Sequence, residues 1–89
     1  MDAEIHIASI VVYVVSAERD SVRSCIEAVP GADIHGEADG KLIVTLETES
    51  TKKTLDIMDA IRALPGVADV VLVYQHAELA SALEQEVQQ

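Results

Sequence analysis

The sequence carries the same helix-ending signal twice, and this repeat constrains the fold more than any other feature. Ala-Val-Pro-Gly at residues 28–31 recurs as Ala-Leu-Pro-Gly at residues 63–66, 35 positions later. Proline and glycine terminate helices. In each half a segment of strand type precedes the helical segment and another follows it. Two strand–helix–strand units in succession predict the element order βαββαβ.

The apolar periodicity assigns the elements of both units. Alternating and β-branched residues predict strands over residues 5–15, 32–37, 41–46 and 67–76. The first helix is predicted over residues 17–29, with an apolar stripe formed by Val22, Cys25, Ile26 and Val29. The apolar positions of the second helix are Leu55, Met58, Ile61 and Leu64.

The ends of the helices and the single cysteine follow from the same pattern. Ser16 is the predicted N-cap of the first helix, and Thr48, Ser50 and Thr51 are candidate caps of the second. Cys25 belongs to the apolar stripe, so we expect a buried and inert thiol.

The predicted fold class is α+β, with a ferredoxin-like arrangement. Right-handed crossovers place both helices on one face of a four-stranded antiparallel sheet, with strands one and three in the centre. Residues 1–76 form this domain. Residues 77–89 form an acidic C-terminal tail or a short third helix, with Leu79, Leu83 and Val87 on one side.

The central strand is apolar on both faces, although two helices cover only one face of the sheet. We expect the helix side to consist of Ala8, Ile10, Val12, Leu42, Val44, Val70 and Leu72. The opposite face then presents Ser9, Val11, Tyr13, Ile43, Thr45, Val71 and Val73. Uncovered antiparallel faces are normally polar, and a contiguous apolar surface marks an interaction site.

The strand pattern alone is compatible with three roles for this uncovered face. The face pairs with a second copy, it receives the C-terminal segment, or it binds another chain. Homodimerisation is the first choice on pattern alone, because ferredoxin-like domains often pair through their sheets. The opposite assignment of side chains to the two faces is also open. In that case the residues given for the helix side form the uncovered face, and the others pack against the helices.

Composition restricts the partners and the compartment. The chain has 89 residues, which suits one domain, and 16 acidic residues against six basic ones give a net charge of −10. Such a surface repels phosphates, so nucleic acid is not expected as a partner. The acidic first residues do not resemble a signal peptide, and no apolar run reaches the length of a membrane-spanning helix. A cytoplasmic protein without stable membrane insertion is therefore expected.

Catalytic, metal and cofactor sites are not predicted. His6, His35 and His76 lack metal-ligand spacing, and no glycine-rich phosphate loop is present. Asp56 and Asp59 fit a solvated helix face better than an acid–base pair. The sequence therefore predicts a protein that is not an enzyme.

Several short motifs together resemble the NapD family. They are Ser-Ile-Val-Val at 9–12, Pro-Gly at 30–31, Gly-Lys-Leu-Ile-Val at 40–44, Pro-Gly-Val at 65–67 and Leu-Val-Tyr at 72–74. The resemblance spans roughly residues 5–76, and it rests on the order and spacing of these motifs. It implies a ferredoxin-like, non-enzymatic cytoplasmic assembly chaperone. Its expected partner is the precursor of NapA, the catalytic subunit of the periplasmic nitrate reductase.

The resemblance also implies how that partner is bound. NapD proteins bind the twin-arginine signal peptide of NapA over the open sheet and delay export until cofactor insertion. Carried onto this chain, the motifs point to Ser9, Val11, Ile43 and Val73. Strand parity adds Tyr13, Thr45 and Val71, and Glu37, Glu47 and Asp69 are candidates for an acidic rim that meets the arginines. The protein is expected to be a monomer or a weak homodimer.

Two alternatives accompany this hypothesis. The first is a ferredoxin-like regulatory dimer that binds a small effector; the chain has no obvious glycine-rich effector loop. The second is an enzyme of the acylphosphatase type, which is poorly supported because no arginine precedes Arg19 in the first strand–helix turn.

Overall fold

The computed structural model describes residues 4–79, and of residues 78 and 79 the backbone alone. The strands are β1 (Glu4–Val14), β2 (Ala32–Ala38), β3 (Lys41–Thr48) and β4 (Val67–Leu79). Helix α1 spans Arg19–Glu27 and helix α2 spans Thr51–Arg62. All strand pairs are antiparallel, and the strand order is β2-β3-β1-β4. The predicted ferredoxin-like fold is confirmed, with β1 and β3 in the centre.

The core lies between the helices and one face of the sheet. Its sheet side consists of Ala8, Ile10, Val12, Val14, Leu42, Val44, Leu46 and Val70. The helices contribute Val22 and Ile26 from α1 and Met58 and Ile61 from α2. Alternation is strict over residues 8–14 of β1 and 42–46 of β3, where every second side chain is buried. The predicted parity of the two central strands is therefore correct.

Helix α2 begins and ends as its sequence predicts, whereas the beginning of α1 differs from the prediction. The Ser50 hydroxyl caps α2 by accepting from the Lys53 backbone amide at 3.1 Å. Ser16 was predicted to cap α1, but Ser16–Glu18 forms a short 3₁₀ turn. Helix α1 follows that turn without a side-chain cap.

Two residues predicted to be buried are exposed. Cys25 lies on α1, where only Val22 and Ile26 reach the core, so its thiol is on the exposed flank of a short helix. Leu72 pairs with Ile10 and lies on the helix side of β4, yet it is 38% exposed. The strand lies at the edge of the sheet, where cover from the helices is incomplete.

β4 differs from its predicted form in two ways. It runs to Leu79, three residues beyond the predicted end at His76, so residues 77–79 are strand and not helix. A bulge also interrupts its pairing, because Leu72 pairs with Ile10 whereas Tyr74 pairs with Ser9. The extra residue, Val73, reverses the parity of the strand beyond it. The rest of the predicted third helix, residues 80–89, lies outside the described residues.

Gly31 lies between α1 and β2 in a conformation that excludes side chains. Its φ of +84° lies in the left-handed region, and a Cβ atom would overlap the Glu47 backbone carbonyl. The carbonyl of Gly31 also accepts from the Glu47 amide at 2.8 Å. This close approach fixes the start of β2 beside the end of β3.

We predict that Gly31→Ala destabilises the fold by about 2 kcal/mol or more, because it combines backbone strain with a steric overlap. The free energy of unfolding is measured by urea titration followed by circular dichroism. Gly36→Ala is the matched control, since its Cβ would meet only the Ile43 side chain at 4.0 Å. Equal stabilities of the two variants would contradict the role assigned to Gly31.

Candidate functional site

The face of the sheet opposite both helices, here called the open face, is organised by the register of the central strands. Val11 of β1 lies opposite Ile43 of β3 on one side and Val71 of β4 on the other. Ser9 has Thr45 and Tyr74 as its two neighbours. Residues directly opposite in an antiparallel pair have side chains on the same face. The register therefore brings six of the seven sequence-predicted residues together: Ser9, Val11, Tyr13, Ile43, Thr45 and Val71.

The apolar part of the open face is accessible to solvent. Ile43 is 42% exposed and Val71 is 40% exposed, whereas their neighbours Leu42 and Val70 are buried on the helix side. Val11 and Tyr13 in the central strand are half-buried by these flanking residues. Both helices pack on the other side of the sheet. The open face is thus an apolar surface with accessible side chains along its length.

The bulge in β4 enlarges this surface beyond the prediction. Val73, the seventh predicted residue, is the extra residue of the bulge and is 63% exposed. Tyr74 is brought onto the open face opposite Ser9, is 56% exposed, and stacks on His76 with ring centroids 6.1 Å apart. Uninterrupted alternation from Val70 and Leu72 would place Tyr74 on the helix side. A bulge of one residue has no clear signal in a run of valines, so the sequence could not reveal it.

The first residues of β1 extend the open face and were not among the predicted site residues. Ile7 pairs with Glu47 and His76, and it is half-buried on this face. Ile5, two residues earlier, has the same orientation and the same partial burial. Their alternation with Ser9 and Val11 was a signal that could have identified them.

A buried hydroxyl on the open face lacks a partner among the described residues. The Thr45 hydroxyl oxygen is buried and makes no hydrogen bond to any residue in the described part of the chain. Thr48, three residues along the same strand, faces the helices. Its hydroxyl bonds to the Thr54 hydroxyl at 2.7 Å and donates to the Ser50 carbonyl at 2.9 Å. The two threonines therefore make opposite contributions to stability.

The three predicted rim carboxylates are in different environments. Glu37 pairs with Leu42 on the helix side, where it binds Arg19 at 2.9 Å and Arg23 at 2.8 Å. Asp69 lies on the open face, and its carboxylate accepts from the Val70 amide at 2.8 Å. Glu47 also lies on the open face, and within residues 4–79 its side chain has no hydrogen bond or ion pair.

The two ends of the open face differ in charge. At one end Tyr13 lies between Lys41 and Asp69, and the Lys41 ammonium is 5.7 Å from the centre of the tyrosine ring. One cation and one anion balance there. At the other end Glu47 lies beside Ile7 and is followed by Glu49. The open face is therefore negative at the end of β3 and nearly neutral at its beginning.

His6 and His76 do not form a common site, although they lie on adjacent strands. His6 pairs with Ala77 and contacts Glu4 at 2.9 Å on the helix side, whereas His76 pairs with Ile7 on the open face. Across the described part of the chain, no group of three or more potential ligands could hold a metal ion. Among the same residues, no helix has the length and apolarity needed to cross a membrane.

Comparison with known proteins gives a consistent result. A family model described as NapD protein matches residues 5–79. A solution structure described as that of the E. coli Tat proofreading chaperone protein NapD superimposes with a TM-score of 0.76. The two chains are 28% identical, and the match covers 83% of this chain and 80% of that one. No curated protein matches the sequence.

We predict that Thr45→Val raises the free energy of unfolding by about 1 kcal/mol. Valine keeps the shape and β-branching of threonine and removes the hydroxyl. A buried hydroxyl that lacks a partner destabilises the folded protein by about 1–3 kcal/mol. The matched variant is Thr48→Val, which removes two hydrogen bonds and should destabilise by about 1–2 kcal/mol. Denaturant titration of both variants measures the difference. Destabilisation by Thr45→Val would show that its hydroxyl is satisfied in solution.

Proposed function

The chain belongs to the NapD family, and from this premise we propose that it is a cytoplasmic proofreading chaperone. In this proposal it binds the twin-arginine signal peptide of the NapA precursor and delays export until the cofactors of that enzyme are inserted. The E. coli protein that it resembles carries the description of a Tat proofreading chaperone. The proposal requires recognition of a peptide and no catalytic step.

The observation that carries the proposal is the apolar open face. A signal peptide has an apolar middle segment, which would otherwise be exposed to water before export. Burial of apolar surface contributes about 25 cal/mol for each Å² removed from water. Ile43, Val71, Val73 and Tyr74 are all more than a third exposed and offer such surface. These side chains lie on the face opposite the helices and do not pack in the core.

The dimensions of the sheet suit a helical segment. A helix is about 10 Å across with its side chains, and neighbouring strands lie about 4.8 Å apart. A helix lying along β1 would therefore contact Val11 below it, Ile43 on one side and Val71 on the other. This arrangement is a helix in a shallow groove, one of the recurring modes of peptide recognition.

Electrostatics favours the same partner. The chain has a net charge of −10, and the front of a twin-arginine signal peptide is basic. Opposite charges speed association and restrict the choice of partner more than they add affinity. The same net charge opposes pairing of two open faces, so we propose that the peptide-free protein is a monomer or a weak homodimer.

We predict that Ile43→Asp or Val71→Asp weakens binding of a synthetic twin-arginine signal peptide by at least about tenfold. Each variant introduces a carboxylate that the bound apolar segment would strip of its hydration, and this desolvation opposes binding. Calorimetric titration measures the dissociation constant, and circular dichroism verifies the fold. Both residues are accessible, so the introduced carboxylates stay hydrated in the peptide-free protein.

The matched control is Leu55→Asp on α2. Leu55 is 49% exposed, and the substitution adds the same negative charge on the helix side of the molecule. The Leu55→Asp variant should bind the peptide as tightly as the original protein does. If Leu55→Asp weakens binding and Ile43→Asp does not, the helices and not the open face receive the peptide.

A regulatory dimer is distinguished by its oligomeric state. Sedimentation velocity is measured on the original protein and on Val71→Asp with no peptide present. The chaperone proposal predicts one monomeric boundary for both at low micromolar concentration. A stable dimer that Val71→Asp dissociates, together with an absence of peptide binding, would replace the chaperone by the regulatory dimer.

A further inference from the structure

A cleft opens at the end of the molecule where β3 finishes and β1 begins. Its volume is about 370 Å³, near the lower end of the range of roughly 300–1,000 Å³ for small-ligand sites. Ile5, Pro30 and Ile57 give it largely apolar walls. A cleft of this size suits individual side chains and not a folded partner.

The charged residues of the cleft are mainly acidic. Glu4, Glu47 and Glu49 line it together with one cation, Lys53. The Glu4 carboxylate is bound to His6 at 2.9 Å. Within residues 4–79, Glu47, Glu49 and Lys53 make no side-chain ion pair with one another or with other groups. Two carboxylates are thus available beside apolar walls.

The cleft is continuous with the open face. Ile5 and Glu47 both line the cleft. Both also lie on the open face, because Glu47 pairs with Ile7 and Ile5 is two residues before Ile7 in β1. Ile7 is the partner of Glu47 and leads from there toward Ser9 and Val11. An occupant of the apolar open face therefore reaches the cleft without leaving the surface of the protein.

We propose that this cleft is a subsite for arginine side chains at the basic end of the peptide whose apolar part lies on the open face. The inference rests on the proposed function and extends it by assigning the direction in which the peptide binds. An arginine side chain has an apolar stem and a charged fork, and the cleft offers apolar walls and unpaired carboxylates. Neither feature alone favours a long basic side chain, but their combination does, and the arginine fork can bond both oxygens of one carboxylate.

The direction follows from the difference between the two ends of the open face. The Glu47 end has two unpaired carboxylates, whereas at the other end the Lys41 ammonium is balanced by the Asp69 carboxylate. A basic segment is therefore attracted to the first end and finds no net attraction at the second. The apolar segment then extends from Ile7 along β1 toward Tyr13.

The test uses substitutions with opposite expected effects. The double variant Glu47→Gln/Glu49→Gln should raise the dissociation constant of a synthetic twin-arginine signal peptide about tenfold, as expected of two exposed ion pairs. Lys53→Gln removes the cation of the cleft and should lower that constant about threefold. A general loss of folding cannot produce tighter binding, so this pair of results separates recognition from stability.

The matched control changes the net charge equally at a distance. Asp20→Asn/Asp59→Asn removes two exposed carboxylates near the start of α1 and in the second half of α2. We expect less than a twofold change in affinity from this variant. Peptide with both arginines replaced by glutamine should bind the original protein and Glu47→Gln/Glu49→Gln equally well.

The outcomes separate the subsite from the proposed function. If the original protein does not bind the arginine-containing peptide, the proposed function fails. If it binds, but Glu47→Gln/Glu49→Gln matches the Asp20→Asn/Asp59→Asn control, the subsite is overturned and the chaperone proposal stands. A loss of affinity that persists with the glutamine peptide also overturns the subsite, because the carboxylates would then act on something other than arginine.

A spin label tests the direction independently. Attached to the basic end of the peptide, it should broaden the amide resonances of Gly31 and Thr48 and leave that of Lys41 sharp. Attached to the other end, it should broaden Lys41 and not Gly31. The reverse pattern would overturn the proposed direction.

Discussion

The structure depends on the packing of two helices against one face of a four-stranded sheet. Val22, Ile26, Met58 and Ile61 fill the space above β1 and β3, and the alternate side chains of these strands complete the core. The chain has no further described helix to cover the other face. Its apolar residues there do not contribute to the core, so their presence requires a different explanation. Recognition of an apolar segment in a partner supplies one.

Much of this arrangement follows from local sequence. The two Pro-Gly signals and the alternation in β1 and β3 determine the element order and the side of each central side chain, as the buried Ile10 and exposed Ile43 confirm. Edge positions were harder to predict. The bulge at Val73 depends on pairing with β1, and the exposure of Leu72 and Cys25 depends on how far the short helices reach. Such properties are set by tertiary packing and not by the spacing of apolar residues.

The candidate site also combines features that local sequence predicts with features that depend on tertiary packing. Strand parity identified the centre of the open face, but it gave no information on which acidic residues are available. Glu37 is neutralised by Arg19 and Arg23 from α1, a contact between segments that only the folded chain brings together. Glu47 has no such partner in the described residues and lines a cleft. In this account apolar contact supplies most of the affinity, and the unequal charge of the two ends orients the ligand.

The most direct test of the central claim is the location of the bound signal peptide by NMR. With methyl-labelled protein and unlabelled peptide, intermolecular nuclear Overhauser effects report which side chains touch the apolar segment. We expect contacts to the methyl groups of Val11, Ile43 and Val71, with none to Leu55 on the helix side. Contacts to Leu55 and none to the open face would show that the peptide binds the helices, whatever the affinity of the complex.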